Sequence, residues 1–133
     1  MRLAGGCLCG AVRYLVAGAP REVVNCHCRP CQRASGAAFV TWITVPARSF
    51  GYSHGRPASF ASSTVGVREF CGACGTQLVF RDFEGGTLDV SLCSLDDPDA
   101  FAPQANTWVG SRRPWLHGFD ERLPDHSGEW SGD

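Results

Sequence analysis

The sequence predicts a mainly β domain, built of antiparallel sheets with short helical turns and stapled by metal. Three observations predict it. Apolar residues alternate in short runs, the signature of half-buried strands. Sixteen glycines and eight prolines in 133 residues break the chain too often for long helices. Eight cysteines fall into close groups, and such groups in a chain without an apolar leader read as ligands rather than disulfides. The length suits a single domain over residues 1–133.

The elements follow in order. Residues 11–16 alternate, with Val12, Tyr14 and Val16 on one face. Residues 21–25 read as a second short strand. Residues 30–35 fit one or two helical turns, with Pro30 tolerated early and Gly36 in the C-terminal glycine position. Residues 38–45 form a strand rich in β-formers that Pro46 ends. Weaker strands cover 58–62 and 65–70. Residues 77–82 and 87–93 flank Phe83-Glu84-Gly85-Gly86 and read as a hairpin. Asp96 and Asp97 start a capped turn through Phe101, and 105–109 is a last strand. The tail from about 124 to 133, with Pro124, Gly128 and Gly132, reads as loose.

Composition excludes several functions. Net charge is −1, and every one of the twelve basic residues is arginine. No basic face is expected to attract nucleic acid or anionic membrane. No window approaches the roughly 18 apolar residues of a membrane span, and the first residues lack a signal-peptide core. The expected setting is cytoplasmic, where thiols stay reduced.

The cysteines are Cys7-x-Cys9, Cys26-x-Cys28-x-x-Cys31, Cys71-x-x-Cys74 and a lone Cys93. Thiolate suits zinc, which prefers four tetrahedral ligands. Cys71-Gly72-Ala73-Cys74-Gly75 is a knuckle supplying two sulfurs, and Cys7 with Cys9 supplies two more. Those four make a closed structural site. Cys26, Cys28 and Cys31 offer three sulfurs, and three protein ligands with one free corner is the pattern of a catalytic zinc. Two ions per chain follow. Three thiolates leave a Zn²⁺ site near −1, a weak Lewis acid that still holds a substrate thiol as thiolate. Disulfides, a single zinc, another division of the seven ligands and an iron–sulfur cluster remain as alternatives. The first conflicts with a reducing compartment, and the last with the common cluster spacings. Cys93 follows Leu88, Val90 and Leu92 in an apolar pattern and reads as core.

Gly6-Cys7-Leu8-Cys9-Gly10-Ala11-Val12-Arg13-Tyr14 resembles the opening of the glutathione-dependent formaldehyde-activating enzyme family. Cys26-His27-Cys28-Arg29-Pro30-Cys31-Gln32-Arg33-Ala34-Ser35-Gly36 and Arg68-Glu69-Phe70-Cys71-Gly72-Ala73-Cys74-Gly75-Thr76 resemble its next blocks. Residues 94–98, Phe101, Pro103 and Arg113-Pro114-Trp115 resemble its closing ones. The resemblance implies a β-tent-like fold with a structural zinc on the first and third blocks and a catalytic zinc on the middle one. It implies a carbon–sulfur lyase that adds glutathione reversibly to formaldehyde, giving S-hydroxymethylglutathione. Where the family's closing segment usually has a histidine, this chain has Asn106.

Among other residues, His27 sits between two ligand cysteines. It is a candidate proton shuttle unless alternation turns it away from the metal. Arg29 and Arg33 could hold a carboxylate-bearing thiol. Gln32 and Ser35 could hydrogen-bond ligand sulfurs. The aromatics Phe39, Trp42, Phe70, Phe80, Trp108 and Trp115 read mainly as core. Two functions compete: a zinc enzyme acting on a small thiol and a small aldehyde, and a non-catalytic zinc module that binds or regulates. The module would close the second site with a fourth ligand, Cys93 or His27.

Overall fold

The computed structural model describes residues 2–117 and 121–132. Its strands are β1 (Arg2–Gly6), β2 (Arg13–Ala17), β3 (Glu22–Cys26), β4 (Val40–Pro46), β5 (Phe50–His54), β6 (Ala58–Ala61), β7 (Gly66–Phe70), β8 (Gln77–Asp82), β9 (Thr87–Ser91) and β10 (Ala105–Thr107). One helix, α1 (Arg29–Ser35), and single turns of 3-10 helix complete it. The strands make two sheets, ordered β1-β2-β5 and β10-β3-β4-β9-β8-β7-β6. The mainly β expectation holds. The pairing is not wholly antiparallel, because β10 runs parallel to β3, with Thr107 opposite Cys26. A short strand reached by a long connection is free to pair in either sense.

The predicted face of Val12, Tyr14 and Val16 is buried, and it packs with Ile43, Val45, Leu78, Leu88 and Val90 in one core between the sheets. The sheets are also pinned by polar contacts. The Tyr52 hydroxyl on β5 donates to Glu69 Oε1 on β7 at 2.6 Å, and Arg81 Nε on β8 donates to Glu69 Oε2 at 2.9 Å. Helix α1 starts on Cys28, carries Pro30 in its first turn and ends on Gly36 at φ 70°, the left-handed conformation that favours glycine.

Several expectations are corrected. Strands β1 and β5 are additional, each carrying glycine that lowers strand propensity. Strand β9 stops at Ser91, and a 3-10 turn over Leu92–Ser94 follows, so Cys93 is exposed and not core. The tail read as loose lies along β10. Asn106 N–H donates to the Pro124 carbonyl and His126 N–H to the Asn106 carbonyl, both at 2.9 Å, and Trp130 stacks on His126. Asp133 falls outside the described residues. Among the described residues, no helix is long and apolar enough to cross a membrane.

Candidate metal centres and the cavity between them

The loop after β1 carries Cys7 and Cys9, and the turn between β7 and β8 carries Cys71 and Cys74. Their four sulfurs all lie within 4.8 Å of one another. A tetrahedral ion about 2.3 Å from each of four sulfurs sets them about 3.8 Å apart. Cys7 and Cys9 are separated by 3.7 Å, and Cys9 and Cys71 by 3.8 Å. The backbone N–H of Val12 donates to Cys7 Sγ at 3.3 Å, and that of Cys74 to Cys71 Sγ at 3.4 Å. Thr76 Oγ1 lies 3.3 Å from Cys74 Sγ and accepts from Leu8 N–H at 3.0 Å, tying the two loops together. That hydroxyl and the Thr76 backbone lower the Cys74 thiol to about 5. Donors already aimed at sulfur and sulfurs already at tetrahedral spacing are what a thiolate–metal site requires.

The second cluster forms where β3 enters α1. Cys26 ends the strand, Cys28 caps the helix, and Cys31 lies in its first turn. Cys31 and Cys26 sulfurs are 3.6 Å apart, and Cys31 N–H donates to Cys28 Sγ at 3.4 Å. Cys31 is pulled well below an ordinary thiol by hydrogen bonds from Cys26 and Cys28, helped by Trp42 and the charge of Arg68. Its partner Cys26 is pushed up by sharing protons with Cys28 and Cys31 and by burial. Among the described residues, three sulfurs make up this cluster and neither His27 nor Cys93 joins it.

Cys26, Cys28 and Cys31 all line a cavity of about 590 Å³, walled by Trp42, Phe80, Trp108 and Trp130. None of the four cysteines of the first cluster lines it. Trp108 is the one non-glycine with positive φ among the described residues, at 54°. Such a conformation is costly for a bulky side chain and concentrates at functional sites. Farther along the cavity lie Glu22, Thr44, Asp89 and Glu129. Burial pushes the Asp89 carboxyl up to about 6, against a hydrogen bond from Thr44.

A family model described as glutathione-dependent formaldehyde-activating enzyme matches residues 2–111. The chain belongs to that family. A relative described as an uncharacterized lyase, from Schizosaccharomyces pombe, is 26% identical over 113 residues, covering 73% of this chain and 82% of its own. A crystal structure of a Rhodobacter sphaeroides protein is similar in fold, with a TM-score of 0.58 at 17% identity, covering 92% of this chain and 98% of that one. The match to the formaldehyde-activating family spans both cysteine clusters, β1 to β10 and α1.

The structure redistributes the other candidates. His27 is fully buried, does not line the cavity, and packs against Phe39 at 5.2 Å. Its neighbour Cys26 does face the cavity, so alternation along the extended chain turns His27 away and removes the geometric basis for a shuttle. Burial, then the charge of Arg112, lowers its pKa. Gln32 and Ser35 touch no sulfur. Gln32 Nε2 donates to the carbonyls of His27 and Ser111 at 2.8 and 2.9 Å, and Ser35 Oγ donates to the Cys31 carbonyl at 2.7 Å. They brace the cysteine loop through its backbone. Asn106 is buried, accepting from Asn25 at 3.1 Å and donating to Asp125 at 3.1 Å. Arg29 lines the cavity and also a second hollow, with Arg33, Arg113 and Trp115.

Sequence reasoning missed Arg68. It lies on β7, is 8% exposed, and reaches Cys31 from across the cavity. It opens the Arg68–Thr76 block, but 37 residues separate it from Cys31, and nothing local to that block ties it to the three-cysteine cluster.

Proposed function

We propose that this chain is a zinc-dependent carbon–sulfur lyase that joins a small thiol to a small aldehyde and reverses the reaction. Glutathione and formaldehyde are the pair the family suggests. The reading assigns a structural zinc to Cys7, Cys9, Cys71 and Cys74, and a reactive zinc to Cys26, Cys28 and Cys31. It also takes a reducing, cytoplasmic setting, where thiols persist. The observation that carries it is an asymmetry: the three-sulfur cluster opens on a large cavity and the four-sulfur cluster does not.

A zinc ion bound by the three cysteines supplies a position that takes a fourth sulfur as thiolate. Cys26, Cys28 and Cys31 would keep such an ion electron-rich, so that sulfur bound beside them would remain a nucleophile. Trp42, Phe80 and Trp108 wall the sulfur end of the cavity and would hold both reactants at short range. In the forward direction the substrate sulfur forms a bond to the carbonyl carbon. The C=O π pair moves to oxygen, which takes up the proton the thiol released.

The test is the exchange of labelled formaldehyde with its glutathione adduct, followed by NMR exchange spectroscopy. Enzyme at micromolar concentration is expected to speed exchange tenfold or more, and Cys28→Ala to return it to the uncatalysed rate. Equal rates for both proteins would contradict the assignment.

A further inference from the structure

Arg68 is a buried cation without a carboxylate. The three ion pairs among the described residues are Arg13 with Asp96, Arg81 with Glu69 and Arg112 with Asp125. Arg68 takes part in none of them, although it is more buried than any of those arginines. Its Nη1 donates to a neutral acceptor, Gln77 Oε1, at 2.9 Å. Its guanidinium carbon sits 5.2 Å from the ring centre of Phe80, its cross-strand neighbour. Its Nε is buried with no partner. Its remaining contact is Nη2 with Cys31 Sγ at 3.6 Å.

Placing a guanidinium in a largely desolvated wall is unfavourable unless a fixed negative charge compensates it. Three thiolates around a dication leave about one negative charge, and Arg68 touches one of those sulfurs. A fourth anionic ligand would bring the cluster to about −2, which a low-dielectric cavity opposes strongly without a cation beside it. A neutral fourth ligand adds no charge and needs no such cation.

We propose that Arg68 is the fixed counter-ion of the Cys26, Cys28 and Cys31 cluster and makes that cluster prefer a thiolate to a neutral fourth ligand. Arg68 is then a positioning residue that acts through Cys31 and the bound ion. The proposal rests on the reading that these three cysteines hold a divalent metal.

The test uses the full chain loaded with cobalt(II), titrated separately with glutathione and with imidazole. Ligand binding is followed by difference absorption in the sulfur-to-cobalt charge-transfer and d–d bands. Wild type is compared with Arg68→Gln and Arg68→Lys. In Arg68→Gln the ratio of glutathione to imidazole affinity is expected to fall about tenfold or more, whereas Arg68→Lys, which keeps the charge, stays within about threefold of wild type. A general loss of packing would weaken both ligands alike and leave the ratio unmoved. An unmoved ratio in Arg68→Gln, or a tenfold fall in Arg68→Lys, overturns the proposal. If wild-type cobalt protein takes neither ligand, the open-corner reading fails by itself. Cobalt affinity of the three-cysteine cluster then decides Arg68: a tenfold loss in Arg68→Gln supports the counter-ion role, and equal affinity overturns it.

Discussion

Asp89 sits in the cavity wall with Glu22 and Glu129 close enough to raise its pKa, and burial is the larger cause. Its folded value of about 6 stands above the ordinary aspartate value of 3.8. The native state therefore holds the proton more tightly than the unfolded chain. Stability falls as pH rises through the interval between those two values and levels off above the folded one. Asp89→Asn removes this penalty and keeps an acceptor for the Thr44 hydroxyl, 2.6 Å away in the native protein. The variant is expected to be more stable than wild type in urea unfolding, and its advantage to be about 1 kcal/mol greater at pH 7.5 than at pH 5. An advantage that did not grow with pH would count against a buried, raised carboxyl. Asp89 also shows where residue-level reading of the sequence stops. Spacing groups the ligand cysteines because two or three of each set are neighbours in the chain. Asp89 and Arg68 meet the site only through strand pairing; no local pattern marks Asp89, and the block that Arg68 opens points to Cys71 and Cys74 rather than to Cys31.

Strands rich in β-formers, such as β4 and β8, are legible in the sequence to within two residues, and so is the weaker β7. Helix α1 is legible because Pro30 and Gly36 bracket it. Strands β1 and β5 are not, because Gly5, Gly6 and Gly51 hide them, and tertiary packing overrides propensity there. Gly5 pairs with Tyr14, and a Cβ added to it would lie 2.3 Å from the Tyr14 hydroxyl oxygen and 2.5 Å from the Ser94 carbonyl. That hydroxyl is hydrogen-bonded to Ser94 Oγ at 2.7 Å, and Tyr14 is fully buried. Gly5→Ala must therefore displace a core tyrosine or the backbone, and is expected to cost about 2–4 kcal/mol in thermal or chemical unfolding. Gly51 in β5 has no atom within 4 Å of an added Cβ. Gly51→Ala is expected to be neutral or slightly stabilising. Equal effects at the two positions would mean that β1 is not packed on Tyr14 as described.

At the scale of the molecule, the four-cysteine cluster joins the two sheets. Cys7 and Cys9 follow β1 of the small sheet, and Cys71 and Cys74 follow β7 of the large one. Cys9 and Cys71 are 62 residues apart in the chain, so an ion there would close a long loop and contribute on the order of 10 kcal/mol to folding. The three-cysteine cluster spans the end of β3 in the large sheet and the start of α1, and all three cysteines line the cavity. Spacing in the sequence sorts these seven cysteines into the same two groups that the fold brings together. It does not carry the parallel pairing of β10 with β3 or the tail laid along β10, because both depend on contacts between distant segments. The most direct measurement is zinc-edge X-ray absorption on the zinc-loaded chain, with and without glutathione. Four sulfurs on one ion and three on the other predict an average near ~3.5 sulfurs per zinc without thiol and ~4 with it. An average of four before any thiol is added, or no change on adding it, would contradict the open three-sulfur site.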